Sequence, residues 1–299
     1  MPKIIDIVLN SGSGSTADES ADQITALFKD LGVEVRIHPL GGGANVEAVI
    51  RTVVESDVEI IVAAGGDGTV SAVAAAVSEA GKTLGVLPMG TLNNFSKDLG
   101  IPQELELAAA TLVAGNKLEI DLGSVNGQTF VNNSSIGLYP QIVRRREKQQ
   151  RLGRGKWFAA LWAALKVLRL SHLLRVKLII DGKEMLRKTP FVFVGNNNYE
   201  MDLYNIGRRL KLDDGKLSVY FLRRGGRWGV ILMLLKTMIG QVKQWKDFEE
   251  IQTKELTIVS RKKRLRVAFD GEVKVIDTPL EYRIKLKALT VIVPVENPE

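Results

Sequence analysis

The sequence contains no cysteine and only two histidines among its 299 residues. The absence of cysteine excludes disulfides, thiolate metal sites and a cysteine nucleophile, and it favours a reducing compartment. The two histidines, His38 and His172, are far apart in the chain and fit no pair of metal ligands. We therefore expect a cytoplasmic protein.

The sequence also lacks a long hydrophobic run and a signal-peptide pattern. Its longest apolar stretches, "WFAALWAAL" and "VILMLL", are much shorter than the ~20 residues that span a bilayer. The net charge of +7 and the pI near 9.5 suit nucleic acid, an anionic membrane surface or a phosphorylated substrate, and a merely lysine-rich surface fits equally. We find no zinc pattern and no nucleic-acid-binding module, so we expect a soluble or peripheral membrane protein without a nucleic acid partner.

The first 125 residues alternate short β-branched runs with helical patterns. Candidate strands are "KIIDIVL", "VEVRI", "VEIIVAA" and "LGVLP". Candidate helices carry Ile24, Leu27, Phe28 and Leu31 at helical spacing, or cover about 45–54 and 70–79. This alternation predicts parallel strands with crossover helices, which is an open α/β sheet.

After about residue 125 the pattern becomes mostly β, with runs such as "LLRVKLII", "FVFVG", "KLSVYFL" and "RLRVAFD". Turn-like "DG" pairs separate many of these runs. The pattern predicts a β-sandwich or barrel with helical insertions at about 155–171 and 227–248. We place two domains at 1–125 and 126–299, with the last strand as a candidate to return to the first domain.

Three glycine-rich loops follow candidate strands in the first domain: "NSGSG" at 10–14, "GGDGT" at 65–69 and "MGTLNN" at 89–94. In an open α/β sheet, ligands bind where strands end and helices begin. Glycine lets phosphate oxygens approach the backbone, and Ser13, Thr69 and Thr91 add hydroxyl donors. None of the loops matches a dinucleotide or P-loop pattern, and each alone is also typical of an ordinary turn into a helix. Together they predict a site for nucleotide phosphates.

The "GGDGT" loop carries a carboxylate, Asp67, where a phosphate site would not be expected to hold a negative charge. A positive ion between the carboxylate and the phosphates removes the repulsion, and Mg²⁺ has this role in phosphoryl transfer. Alternatively, Asp67 accepts a proton from an attacking hydroxyl.

Through its "GGDGT" loop, the sequence resembles the diacylglycerol kinase catalytic-domain family, which includes sphingosine kinases and, more distantly, NAD kinases and 6-phosphofructokinases. "GGDGT" is the signature of the whole superfamily. The lipid-kinase branch is indicated by "LPMGTLNNFSKDLGIP", "EIDLGSVNG", "FVNNSSIGLYP", "LKLDDGKLSVY" and "FDGE", which follow one another in the family's order.

The resemblance implies an N-terminal NAD-kinase-like open α/β domain and a C-terminal β-sandwich-like domain with helical insertions. It implies an ATP-dependent lipid kinase of lipid metabolism that phosphorylates a hydroxyl of diacylglycerol or a related lipid. Such an enzyme works at the membrane surface, peripheral to its inner face, and a homodimer is plausible by analogy. The alternatives are an NAD kinase-like enzyme and a catalytically weak nucleotide- or lipid-binding regulatory protein.

By this resemblance, Glu272 of "FDGE" is the general base and Asp67 organises Mg²⁺ and phosphate, although sphingosine kinases are usually discussed with the aspartate matching Asp67 as base. Asp270 of the same motif is a third candidate catalytic residue. The implied ATP contacts are Asn10, Ser11, Gly12, Ser13, Gly14, Gly65, Gly66, Asp67, Gly68, Thr69, Val70, Ser71 and Thr91.

The "LDDGKL" segment resembles the family's structural Mg²⁺ site. There Asp214 would donate its side chain, Lys211 and Lys216 their carbonyl oxygens, and water would connect the site to Asp121. Taken from the sequence alone, the same segment is more typical of a two-residue hairpin turn.

Three positions depart from the family pattern. Ser71 and Ala72 occupy positions where the family commonly has an amide and a carboxylate, and Asn94 stands at a common aspartate position. These departures indicate either a subfamily with another substrate or a weakened kinase.

Two basic segments are candidates for contact with a membrane. In residues 144–165, seven arginines and lysines precede aromatic and leucine residues, which favours an anionic interface, although a helix packed on the β domain fits the same pattern. The run "RKKRLR" at 261–266 suits phosphate, lipid or nucleic acid, or a charged strand edge.

Overall fold

The computed structural model describes residues 4–10, 15–41, 45–137, 173–201, 206–209, 211–222 and 248–295. The chain forms two compact units, each made of separate segments. Unit 1 comprises Met1–Leu122, Gly207–Asp214 and Lys285–Glu299, and unit 2 comprises Gly123–Ile206 and Gly215–Ile284.

Unit 1 contains a parallel sheet in the order β2, β1, β3, β4, and the C-terminal half of strand β18 pairs in parallel with β4. Nearly every residue of β1, β3 and β4 is buried, because helices cover both faces of such a sheet. The predicted open α/β sheet is confirmed. The strands are β1 (Ile4–Leu9), β2 (Glu34–Pro39), β3 (Ile60–Gly65), β4 (Thr83–Pro88) and β18 (Leu280–Val293).

The helices of unit 1 follow from apolar spacing and from capping. Ile24 and Phe28 are fully buried on one face of α1, as their spacing predicts. Asn45 caps α2, since its side-chain oxygen accepts hydrogen bonds from the backbone of Glu47 and Ala48. The helices are α1 (Ser15–Asp30), α2 (Val46–Val54), α3 (Asp67–Glu79), α4 (Asn94–Asp98) and α5 (Leu105–Ala114).

Unit 2 is a β-sandwich-like domain, as predicted. Its larger sheet has the order β14, β13, β10, β7, β16, β17, and its smaller sheet joins β9, β8 and β15 to the N-terminal half of β18. A buried apolar cluster that includes Val194, Leu178 and Leu256 draws on both sheets. Two further strands, β5 (Asn116–Val125) and β12 (Ile206–Arg209), lie mostly in unit 1. The other strands of unit 2 are β6 (Gln128–Phe130), β7 (Asn133–Gly137), β8 (Leu174–Ile180), β9 (Lys183–Thr189), β10 (Phe191–Asn196), β11 (Tyr199–Met201), β13 (Leu217–Leu222), β14 (Phe248–Thr253), β15 (Glu255–Ser260), β16 (Arg264–Phe269) and β17 (Glu272–Asp277).

The predicted helical insertions at about 155–171 and 227–248 lie outside the described residues, as does the basic segment 144–165. Phe248, which was expected to end the second insertion, instead begins strand β14. Within the part of the chain that the structure describes, no helix is long and apolar enough to cross a membrane.

Three of the "DG" and "NG" pairs form two-residue hairpin turns. Both turn residues have positive φ at Asn126–Gly127, at Asp181–Gly182 and at Asp270–Gly271, and the flanking strands pair directly across each turn. Another such pair, Asp214–Gly215, differs, because only the glycine has positive φ and the flanking strands have other partners. The hairpin interpretation of "LDDGKL" is therefore wrong.

A buried carboxylate connects three segments of unit 1. Asp6 in β1 has no exposed surface, and it accepts hydrogen bonds from Arg36 Nε at 2.8 Å and Ser56 Oγ at 2.7 Å. His38 Nε2 lies 3.0 Å from the same carboxylate. Burial alone would raise the pKa of Asp6, but the hydrogen bonds from Ser56, His38 and Arg36 outweigh it and hold this pKa below its usual range.

We predict that Asp6→Asn lowers the free energy of unfolding by about 3 kcal/mol, because it removes one partner of a buried ion pair. Since the folded pKa is depressed, this stability is present above the unfolded pKa of about 4 and is lost as pH falls through the folded pKa. Denaturant titrations of wild type and variant at neutral and acidic pH measure both effects. Asp57→Asn removes an exposed partner of the same Arg36 and is the control. Equal losses in the two variants would contradict the prediction.

Candidate functional site

The three predicted loops follow β1, β3 and β4, which are neighbours in the parallel sheet. The first loop contacts the second at its first residue, directly after β1, because Asn10 Nδ2 donates a hydrogen bond of 2.8 Å to Thr69 Oγ1. The backbone of Asn10 also bonds to the carbonyl of Ala64 at 2.8 Å. The remaining residues of the first loop, Ser11, Gly12, Ser13 and Gly14, lie outside the described residues.

The second and third loops touch through their backbones. Met89 N donates to Gly65 O at 3.1 Å, and a Cβ at Gly90 would lie only 2.4 Å from the Cα of Gly66. The backbone of Gly90 also donates to Asn93 Oδ1 at 2.9 Å. Glycine at position 90 is therefore required by packing between the two loops.

The second loop leads directly into α3. Gly66 is the N-cap, Asp67 is the first helical residue, and no side chain among the described residues caps this helix end. The helix therefore begins with backbone N–H groups that lack a side-chain acceptor in the described part of the chain. Gly68 is exposed here, whereas the side chains of Thr69 and Val70 are buried. Their packing fixes the helix and leaves its amino end open at Gly68.

The Asp67 carboxylate has a partner inside unit 1. Its Oδ1 accepts a hydrogen bond of 3.2 Å from the backbone N–H of Phe95, in the first turn of α4. Asp67 thus stabilises the amino end of a second helix, where a negative charge is favourable. The described residues form no other hydrogen bond to this carboxylate, so its remaining capacity is available to a metal ion or its waters.

The other predicted positions around these loops have different surroundings. Thr91 is exposed in the loop before α4, and Asn94 is exposed as the first residue of that helix. Ser71 Oγ is buried and has no hydrogen-bond partner among the described residues. The structure thus joins Asn10 to Thr69 and Asp67 to Phe95 by separate hydrogen bonds, and it leaves Thr91 exposed.

The "FDGE" motif forms the β16–β17 hairpin in unit 2. The Asp270 carboxylate accepts backbone hydrogen bonds from Val131, Asn132 and Asn133 at 2.8 to 2.9 Å. Glu272 stands opposite Phe269 in the hairpin, and its side chain is exposed. These contacts give Asp270 a positioning role, while Glu272 keeps a carboxylate that no described residue binds.

The "LDDGKL" segment is fixed by backbone contacts. Asp121 N donates to Leu212 O at 2.8 Å, and the buried carboxylate of Asp121 accepts from Lys287 N at 2.9 Å. Asp214 is exposed and belongs to unit 1 with Lys211, whereas Lys216 belongs to unit 2 and its carbonyl accepts from Asn197 N. Among the described residues, no group of three acidic, histidine or cysteine side chains forms a metal site. The predicted Mg²⁺ ligands remain a prediction.

Two features of the site were not predicted from the sequence. Asn93 adopts a left-handed conformation with φ of 52° and holds Gly90 through its side chain, which an "NN" pair before a helix can signal. Arg209 Nε contacts Asp98 Oδ2 at 2.8 Å in a buried ion pair. No pattern links these two charges, since they lie in separate segments of the chain.

Two family models match consecutive parts of the chain. Residues 5–125 match the diacylglycerol kinase catalytic domain. Residues 137–293, just over half of the chain, match the YegS C-terminal NAD kinase beta sandwich-like domain.

Curated relatives agree with these matches. A Bacillus subtilis protein named diacylglycerol kinase is 27% identical over 256 residues, which cover 84% of this chain and 83% of that protein. A Klebsiella pneumoniae protein named "Probable lipid kinase YegS-like" is 32% identical over 140 residues, which are 46% of each chain. The chain thus matches less than half of the length of the second relative.

Solved structures show the same fold. A crystal structure described as a diacylglycerol kinase from Bacillus anthracis has a TM-score of 0.69 at 21% identity, covering 98% of this chain and 97% of its own. Another structure from the same organism, with the same coverage, has a TM-score of 0.73 at 22% identity. From its motifs and the two matching models, the chain belongs to the family that joins a diacylglycerol kinase catalytic domain to a YegS C-terminal NAD kinase beta sandwich-like domain.

Proposed function

We propose that this protein is an ATP-dependent lipid kinase that transfers the γ-phosphoryl group to a hydroxyl of diacylglycerol or a related amphiphile. Family membership supports phosphoryl transfer. The observation that carries the nucleotide assignment to this chain is the exposed glycine, Gly68, in the first turn of α3.

No packing within the described chain requires glycine at position 68. Its φ is not positive, and no atom lies within 4 Å of where its Cβ would be. Glycine in a helix is less favourable than alanine by about 0.5–1 kcal/mol. Close approach of a ligand to the backbone explains this choice, and the open N–H groups of the helix end suit phosphate oxygens.

The residues around Gly68 fit a nucleotide that arrives with Mg²⁺. Asp67 offers a carboxylate with free acceptor capacity, and Mg²⁺ at such sites takes its other ligands from phosphates and waters. The bound ion would neutralise phosphate charge. The hydrogen bond from Phe95 N keeps the Asp67 carboxylate in one orientation, and the bond between Asn10 and Thr69 holds the loop that presents it.

In the proposed reaction, the lipid hydroxyl attacks the γ-phosphorus, its proton passes to the Glu272 carboxylate, and the bond to the ADP oxygen breaks. Glu272 suits this role because it is exposed and unbound by described residues. Asp270 supports it by fixing the hairpin to the backbone of residues 131–133.

One face of the larger sheet in unit 2 is polar at one end and aromatic at the other, as a lipid is polar at its headgroup and apolar along its chains. We call it the amphiphile-like face. Near the Asp270 hairpin, Ser218, Gly195 and Asn133 stand side by side on neighbouring strands. The next row away from the hairpin contains Tyr220, Phe193 and Ser135, and Phe191 packs against the two aromatic residues. Polar and small side chains therefore lie at the hairpin end of this face, and aromatic side chains lie beyond them.

This face also contains buried polar atoms to which the described residues offer no hydrogen bond. Ser135 Oγ and Ser218 Oγ are buried, and the described residues provide neither of them with a hydrogen bond. Buried hydroxyls normally find a partner in protein, water or ligand. Hydroxyl groups of a lipid headgroup would satisfy them, and this supports a lipid alcohol as the acceptor.

We predict opposite effects for two glycine substitutions. Gly68→Ala raises the free energy of unfolding by about 0.5–1 kcal/mol, because alanine fits this open helical position, yet it weakens Mg·ATP binding at least about tenfold by blocking the backbone. Gly90→Ala lowers stability by about 1–3 kcal/mol, because its Cβ would overlap Gly66. Denaturant unfolding and isothermal titration calorimetry measure both quantities. Unchanged ATP affinity in Gly68→Ala would contradict the nucleotide assignment.

We predict transfer of labelled γ-phosphate from Mg·ATP to a lipid alcohol in mixed micelles. The acceptors are diacylglycerol, monoacylglycerol, ceramide and sphingosine, with NAD in a separate reaction. Glu272→Gln and Asp67→Asn lower kcat at least about a hundredfold, because each removes a charge that acts on the reacting groups. Glu281→Gln, which neutralises another exposed carboxylate of unit 2, is the control and keeps full activity.

Other results of this assay would contradict the proposal. Phosphorylation of NAD alone would establish the NAD kinase-like alternative. Mg·ATP binding without transfer to any acceptor would favour the catalytically weak alternative, to which Ser71 and Ala72 point.

A further inference from the structure

One end of unit 2 carries a group of exposed basic side chains. The loop between β15 and β16 contributes Arg261, Lys262 and Lys263, all of them exposed. Val176 pairs with Ser260, so Arg175 in β8 and its partner Lys188 in β9 lie beside this loop. We call these five residues the basic end: Arg175, Lys188, Arg261, Lys262 and Lys263.

The charges of the basic end are not balanced within the described part of unit 2. None of the five residues forms an ion pair there, and the nearby carboxylates of Asp277 and Glu249 are already paired with Arg264 and Arg187. Arg175 and Lys188 are both exposed and directly opposite one another on adjacent strands. Like charges in this arrangement are destabilising, and an external anion would relieve the repulsion.

The basic end coincides with the aromatic end of the amphiphile-like face. Strand β16 begins at Arg264, next to the basic loop, and ends at Phe269, next to the Asp270 hairpin. Strand β10 runs in the same direction, with Phe191 at the basic end and Asn196 near the hairpin. Polarity along this face therefore changes from aromatic at the basic end to polar at the hairpin.

This direction matches the way a kinase must take a lipid from a bilayer. The headgroup has to travel furthest into the protein to reach the hairpin, while the acyl chains trail back toward the membrane. A membrane at the basic end would place the chains on the aromatic side and the headgroup on the polar side. The phosphates of an anionic bilayer would at the same time balance the basic residues.

We propose that the basic end is the surface by which this protein docks on an anionic phospholipid bilayer. The reason for docking rests on the proposed lipid kinase function, whereas binding to the bilayer is measured without any kinase reaction. Its electrostatic part weakens with salt, because the Debye length falls from about 10 Å at 0.1 M to about 3 Å at 1 M.

Two double variants with the same change of net charge test this surface. Lys262→Glu/Lys263→Glu alters the basic end, and Lys183→Glu/Lys254→Glu alters exposed lysines at the opposite end of unit 2. Sedimentation of the full chain with vesicles of phosphatidylcholine, with and without about one third phosphatidylglycerol, measures binding. We expect binding only to the anionic vesicles. It falls about twenty-five-fold or more in the first variant, from about fivefold for each lysine, and remains near the wild-type value in the second.

Kinase activity separates this inference from the proposed function. Both double variants should phosphorylate a short-chain, water-dispersed diacylglycerol as the wild type does, and only the first should lose activity on vesicles. Vesicle binding without any lipid phosphorylation would overturn the kinase assignment and leave the docking surface intact. Equal loss of binding in both variants, no vesicle binding by the wild type, or binding of the basic end to a DNA fragment instead of vesicles would overturn the docking proposal.

Discussion

The close approach of two loops at the carboxyl ends of β3 and β4 is the constraint on which the candidate nucleotide site depends. A side chain at Gly90 would overlap the backbone of Gly66, so the two loops can meet only if this position is glycine. Their contact brings the start of α4 to Asp67, whose carboxylate then accepts the N–H of Phe95. The amino end of α3 and the carboxylate beside it are thereby fixed before any ligand binds.

The same arrangement extends to the far end of α4. Asp98 is the last residue of this helix, where the helix dipole disfavours an acid. Buried Arg209 compensates, because its Nε contacts Asp98 Oδ2 at 2.8 Å and its guanidinium lies 5.6 Å from the ring centroid of Phe95. The segment Gly207–Asp214 is thus attached to the helix that Asp67 caps. Within unit 1, the candidate nucleotide loop and the segment Gly207–Asp214 belong to one packed assembly.

Much of this fold could be predicted from local pattern. The strands of unit 1 are continuous apolar runs, and three "DG" or "NG" hairpins follow from residues that tolerate positive φ. Helix α5 was missed because its buried face is formed largely by alanines, such as Ala108 and Ala109, which give no strong apolar stripe. The "LDDGKL" segment was ambiguous because long-range contacts decide its conformation, among them the hydrogen bond from Asp121 to Leu212.

The candidate site, too, could be predicted only in part from the sequence. Glycine-rich loops after strands predict a phosphate site, because in such a site the backbone itself supplies the binding groups. The role of Asp270 was not visible in "FDGE", since its three backbone partners lie about 140 residues earlier in the chain. Sequence motifs therefore predict the candidate residues, and only the contacts in the structure separate groups that are held by hydrogen bonds, such as Asp270, from carboxylates that no described residue binds, such as Glu272.

The central claim is that nucleotide phosphates bind at the open amino end of α3. Hydrogen–deuterium exchange of the full chain, with and without saturating Mg·ATP, tests it most directly, with the Asp181–Gly182 hairpin as an internal reference. We predict slower exchange at the backbone amides of residues 67–69 and no change at the reference hairpin. Unchanged exchange at 67–69, while calorimetry shows that Mg·ATP is bound, would contradict the claim.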